Sequence, residues 1–197
     1  MRLFIAVFVA LTFVAFQSGH AQDSDSGEKI VYPSPDKKFA IRITYDPSYG
    51  NDDEEKNVPR EATRAIDLVA MPGKDVLVNV AAEDLGLEGK VFWSADSRWV
   101  AFALTSGPRV TETYVYHRAG NEFHKAPNEE LSVDTGGSVR NQYISPLRWL
   151  KPGTLVLKQF TIFRGGEGDS TIEFTVRFDE QGRFHVINKK KVRSKEE

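Results

Sequence analysis

Tyr32-Pro33-Ser34-Pro35-Asp36-Lys37-Lys38-Phe39-Ala40-Ile41 and Trp93-Ser94-Ala95-Asp96-Ser97-Arg98-Trp99-Val100-Ala101-Phe102 decide how this chain is read. Each runs from an aromatic residue through a short polar turn into alternating apolar residues. Trp149-Leu150-Lys151-Pro152-Gly153-Thr154-Leu155-Val156-Leu157 repeats the plan. Asp36 and Asp96 are 60 positions apart, and Trp93 and Trp149 are 56 apart. So regular a period is the mark of a repeat architecture, in which each unit buries its apolar face against a neighbour.

The residues around each copy read as strands. Period-two alternation, rich in β-branched and aromatic residues, runs over 39–45, 65–70, 76–80, 99–104, 110–116, 154–160 and 172–178. A helical turn fits only 81–87, where Gly86 and Gly89 cut it short. In each unit a short strand ends at Tyr32, Trp93 or Trp149, a second and third strand follow, and a hairpin leads into a fourth. The hairpin turns Met71-Pro72-Gly73-Lys74, Arg118-Ala119-Gly120-Asn121 and Asp179-Glu180-Gln181-Gly182 each carry a glycine, which supplies the positive φ of a tight reversal. The fold class expected is all-β, with three antiparallel blade-like sheets of about four strands each. They form a single domain over 30–188, with units at about 30–82, 90–127 and 144–188.

The turn segments resemble the S-P-D-G-K-x-[apolar]-A-F signature of WD40-like repeats in TolB-type β-propellers. Residues 34–41 and 93–102 carry that likeness, and 149–157 is similar to its W-L-x-D-G-x-L variant. Lys37 and Ser97 stand where the family has glycine, and Leu150-Lys151-Pro152 replaces the Ser-Pro-Asp step. The resemblance implies propeller blades, and three are too few for a ring, which needs about four or more. An open partial β-propeller is the expected arrangement. The alternatives are a β-sandwich, or half of a six-bladed ring completed by a homodimer. In the open form the leader and the basic tail lie across an edge, and Arg42, Lys158 and Arg177 blunt strand pairing.

Met1-Arg2, the apolar run 3–16 and Gln17-Ser18-Gly19-His20-Ala21 form the pattern of an export signal cleaved after Ala21. The apolar run is shorter than the roughly 20 residues a spanning helix needs, so no membrane span is expected. Residues 22–29 read as a flexible leader and 189–197 as a charged C-terminal tail. Without cysteine, the mature chain has neither disulfides nor a residue for acylation. Removing Arg2 leaves 25 basic residues against 28 acidic, a net charge of −3. That balance excludes a dedicated nucleic-acid binder, whose affinity rests on neutralising phosphates.

Chemistry-bearing motifs are sparse. Asp134-Thr135-Gly136 matches the aspartic-protease triplet, but that chemistry needs two carboxylates sharing a proton, and no second triplet occurs. A polar loop over 128–140 is the preferred reading. No Gly-x-Ser-x-Gly elbow is present, and His117, His124 and His185 lack the spacing of a zinc helix. No catalytic residue, cofactor or metal ligand is assigned. The acidic loop 46–55 offers hard oxygen ligands, which makes it the one place for Ca²⁺, although its spacing is not that of the twelve-residue loop. Asp36 and Asp96 are expected to close Asx-turns, and Tyr32, Trp93 and Trp149 to pack between sheets.

Recognition is then expected in the long connections 46–63, 129–140 and 164–169. Tyr49, Asp52, Asp53, Asp134, Arg140, Arg164 and Glu167 are their candidate partner-binding residues. The chain reads as an exported, non-enzymatic binding protein of the cell envelope with a protein or glycan partner. A small secreted hydrolase using acidic loop residues is the alternative. Pairing of Asp134 with a second buried carboxylate would favour the hydrolase.

Overall fold

Two residues before the leader was expected to end, the chain is already a strand. The computed structural model describes residues 26–49, 58–81, 85–120, 122–126 and 130–192. The first blade is an antiparallel sheet of β1 (Gly27–Val31), β2 (Phe39–Tyr45), β3 (Thr63–Ala70) and β4 (Asp75–Ala81), in that order. The second holds β5 (Gly86–Trp93), β6 (Trp99–Gly107), β7 (Val110–Ala119) and β8 (Glu122–Lys125). The third holds β9 (Val139–Lys151), β10 (Thr154–Phe163), β11 (Asp169–Phe178) and β12 (Phe184–Val192). A short parallel pairing, Val110 with Gln142 and Thr111 with Tyr143, joins β7 to β9, so blades two and three share one eight-stranded sheet. The protein is all-β, an open partial β-propeller of three four-stranded blades.

Alternation along the middle blade explains why the blades stack in series. On β6, Val100, Phe102 and Leu104 face one way and pack with Phe39, Ile41, Ile43, Ile66 and Leu68 of the first blade. Ala101 on β6 and Val115 on β7 face the other way, against Ile144, Leu155, Leu157, Phe174 and Val176 of the third. Side chains one residue apart on a strand point to opposite faces, so one blade serves two cores. Phe102 and Phe174 are fully buried, which stabilises by roughly 1.5–3 kcal/mol each.

The repeated turns match bond for bond. Ser34 Oγ donates to Asp36 Oδ1 at 2.6 Å and accepts from the Phe39 amide at 3.1 Å. Ser94 Oγ donates to Asp96 Oδ1 at 2.5 Å and accepts from the Trp99 amide at 3.0 Å. In both, the aspartate also accepts the amide two residues on, Lys38 or Arg98, at 3.2 Å. These are the Asx-turns expected of Asp36 and Asp96. The aromatics link blade to blade: Trp93 Nε1 donates to the Tyr32 carbonyl and Trp149 Nε1 to the Phe92 carbonyl, both at 2.8 Å.

Several local expectations are corrected. Residues 27–29 pair with Tyr45, Thr44 and Ile43, and Lys189 to Lys191 pair with Phe174, Glu173 and Ile172, so parts of the leader and tail are ladder. An edge strand needs only its backbone bonded on one side, so polar side chains do not prevent it. Arg42, Lys158 and Arg177 lie on β2, β10 and β11, which are flanked on both sides and are not edges. Ala81 ends β4 and residues 86–87 open β5, so neither end of 81–87 is helical, and 82–84 lie outside the described residues. In the turn at 71–74 the positive φ falls on Lys74, at 62°, not on Gly73; Gly120 and Gly182 do take positive φ.

Candidate binding site

The site begins with a strand that stops early. β8 has four residues and, among the described residues, pairs only with residues 116–119 of β7. Leu131 is buried in blade three among Ile144, Leu155 and Leu157. Gln159 of β10, wholly buried, fixes the next step: its Nε2 donates to the Val133 carbonyl at 2.9 Å and its Oε1 accepts the Val133 amide at 2.8 Å. A side-chain amide thus takes the place of a neighbouring strand for one rung. Asp134 Oδ1 then accepts the Gly136 amide at 2.8 Å, and Gly136 and Gly137 take φ of 71° and 73°, turning the chain back into β9. The polar loop expected over 128–140 is therefore anchored from Leu131 to Val133.

Between this anchored segment and the outermost strand β12 lies a cleft of about 530 Å³, lined by Ser132, Val133, Asp134, Val186, Ile187, Asn188 and Lys189. Thr175 pairs with Asn188 and Val176 with Val186, which leaves Ile187 as an extra residue in β12. Such a bulge bends and re-aims an edge strand. Val186 and Ile187 are 42% and 46% exposed, an apolar pair open to solvent in the cleft.

The neighbouring loop 164–169 packs against the turn that follows Asp134. Arg164 donates its amide to the Ser138 carbonyl at 2.8 Å and its Nε to the Val139 carbonyl at 3.1 Å. Gly137 lies against this loop so closely that a Cβ there would come within 3.3 Å of Glu167 Oε2. The fold brings the segments bearing Asp134, Arg140, Arg164 and Glu167 together. Tyr49, 55% exposed, belongs to blade one, with blade two between. Asp52 and Asp53 lie outside the described residues.

The carboxylates of these loops lie apart and mostly face solvent. Asp134 is solvent-exposed, and the buried carboxylate among the described residues is Asp67 of blade one, which accepts Arg42 Nη2 at 2.7 Å. In the acidic loop, Asp46 accepts the Ser48 hydroxyl at 2.6 Å, the Ser48 amide at 2.9 Å and Arg64 Nη2 at 2.7 Å. These bonds, the Ser48 hydroxyl foremost, hold its pKa down at about 2. No group of three or more metal-ligating side chains occurs among the described residues. His117 and His124 face each other across the β7–β8 ladder, and burial, with His124 and Arg98 nearby, lowers the His117 pKa.

Sequence reasoning gave no binding role to Val186, Ile187 and Asn188, which read as part of the third unit, or to Lys189, which read as the start of a charged tail, and it missed Gln159. The uninterrupted Lys189-Lys190-Lys191 run, one residue after the apolar pair Val186-Ile187, was the available signal.

No helix among the described residues is long and apolar enough to cross a membrane. No protein-family model and no curated protein matches the chain. Among solved structures the chain is similar to TolB from Acinetobacter baumannii, at 12% identity and a TM-score of 0.32. The match covers 81% of this chain and 40% of that one.

Proposed function

We propose that this chain is an exported, non-enzymatic binding protein of the cell envelope, built of WD40-like repeats of the TolB type, that recognises a protein or glycan partner. The cleft between segment 132–134 and β12 is the observation that carries the reading, because it opens exposed apolar side chains to solvent beside hydrogen-bonding groups. Largely preformed sites of this kind combine apolar lining with a few placed polar groups. Asp134, exposed and bonded into its own turn, has the environment of a loop residue and not of a protease dyad. Export is supported by the Met1 to Ala21 pattern.

Photo-crosslinking in cells tests the proposal. A photoreactive residue at Ile187 should give a discrete adduct, and one at Leu150, 57% exposed but outside the cleft lining, should not. Equal adducts from both positions, or none, would overturn the site. The exported protein should begin at Gln22, and an intact Met1 on it would overturn the export reading.

A further inference from the structure

We infer that the outer edge of β12 takes an extended segment of another protein by strand addition, one with a run of carboxylates at one end and branched apolar residues at the other. This rests on the binding reading and names its partner class.

β12 is the last strand of its sheet and pairs only with β11 among the described residues. Residues 185–191 are all exposed. Alternate N–H and C=O groups of an edge strand point away from its neighbour, and an incoming strand can bond to them as a further rung. Phe184–Val192 has nine residues, which exceeds the six or so of an ordinary strand.

Charge then selects the partner. Phe184–Val192 contains His185, Lys189, Lys190 and Lys191 and no acid. Lys189 and Lys191 are opposite Phe174 and Ile172 on one face, while Lys190 is opposite Glu173 on the other. None of the three makes an ion pair among the described residues. Three consecutive lysines cover both faces of a strand, so a complementary segment needs carboxylates at consecutive positions. A second copy of β12 aligned in parallel and in register would set lysine beside lysine, which disfavours that pairing. Asp134 and Lys189 both line the cleft, and Asp134 is the one acid among the residues that line it. Toward the other end, Val186 and the bulged Ile187 offer apolar neighbours, and Val133 forms the facing wall. Branched apolar residues bury best there.

The test titrates the isotope-labelled full chain with a peptide of three glutamates followed by Thr-Val-Ile-Val. Controls are the same peptide with lysines for the glutamates, and one N-methylated at alternate amides. Amide shifts should concentrate at 186–191 and 132–134. Lys189→Glu with Lys191→Glu, both at exposed positions, should weaken binding about tenfold or more, as should raising salt from about 50 to about 500 mM. N-methylation should abolish binding, because it removes the ladder donors. Equal binding by the lysine peptide or the N-methylated one, or shifts concentrated away from β12 and residues 132–134, would overturn the inference. So would a dimer in sedimentation that the double variant disrupts, since β12 would then serve a second copy. If the peptide fails while Ile187 still crosslinks a partner, strand addition is wrong and the binding reading stands; loss of both removes both.

Discussion

Ser97 Oγ accepts a hydrogen bond from the backbone amide of Asp36 at 3.1 Å, which ties the turn of the first blade to the same turn of the second. Lys37 and Ser97 occupy equivalent places in these turns, with φ of 58° and 57°. A non-glycine residue in this left-handed region is strained by roughly 1–2 kcal/mol. Only Ser97, 1% exposed, gains a bond in return.

Glycine should therefore act differently at the two sites. Lys37→Gly relieves strain at an exposed position and should raise stability by about 0.5–1 kcal/mol. Ser97→Gly loses the bond to Asp36 and should be neutral or destabilising by about 1 kcal/mol. Denaturant midpoints for the two variants moving together would refute the interblade role of Ser97.

Asp96 and Ser94 separate charge from geometry. Asp96→Asn keeps the acceptor oxygen and should cost little, while Asp96→Ala should cost about 1 kcal/mol. Ser94 is fully buried and serves both Asp96 and the Trp99 amide, so Ser94→Ala should cost more, about 1–3 kcal/mol. Equal damage from Asn and Ala at Asp96 would mean that the negative charge is what the turn needs.

Trp149 is half-buried, and its ring lies 5.8 Å from Trp99 and 6.2 Å from Phe178 between centroids. Trp149→Phe removes the bond to the Phe92 carbonyl and should cost about 1 kcal/mol. Trp149→Ala also empties the space between blades and should cost about 3 kcal/mol. Urea unfolding curves check both, and an unchanged midpoint for alanine would show the ring to be dispensable to the core.

Gln159 holds the wall of the cleft. Gln159→Leu preserves bulk but leaves the Val133 amide and carbonyl without their partner, which should cost about 1–3 kcal/mol. The segment around 130–136 should become sensitive to limited proteolysis before the rest of the chain. Unchanged cleavage and hydrogen exchange there would show that Leu131 alone anchors it.

His117 makes stability depend on pH. Its Nδ1 is buried with no hydrogen-bond partner among the described residues, and its ring stacks on Trp99 at 5.0 Å. Arg98 and His124 face it, and Glu122 lies 3.6 Å from His124. Burial lowers its folded pKa below the unfolded reference of 6.5. The neutral form is therefore favoured on folding: its stabilisation is complete above that reference and lost as pH falls through the folded pKa. His117→Gln should flatten the decline in melting temperature between about pH 7 and pH 5. An unaltered slope would assign the decline to other groups.

What the chain announces by itself is local. Ser-x-Asp turns, aromatic leads and period-two alternation each act within about ten residues, through backbone amides and side-chain direction, so three all-β units could be read without coordinates. Glycine was a poorer guide, since the turn at 71–74 places its positive φ on Lys74. The far ends of the outer strands, 27–29 and 189–192, were obscure because β1 and β12 are held by backbone bonds on one side, which composition does not record. The cleft depended wholly on tertiary structure. One wall of it is fixed by Gln159, which captures Val133 from 26 positions away. A contact so distant in sequence leaves no periodic trace, and its strength comes from satisfying two backbone groups that the fold alone brings within reach.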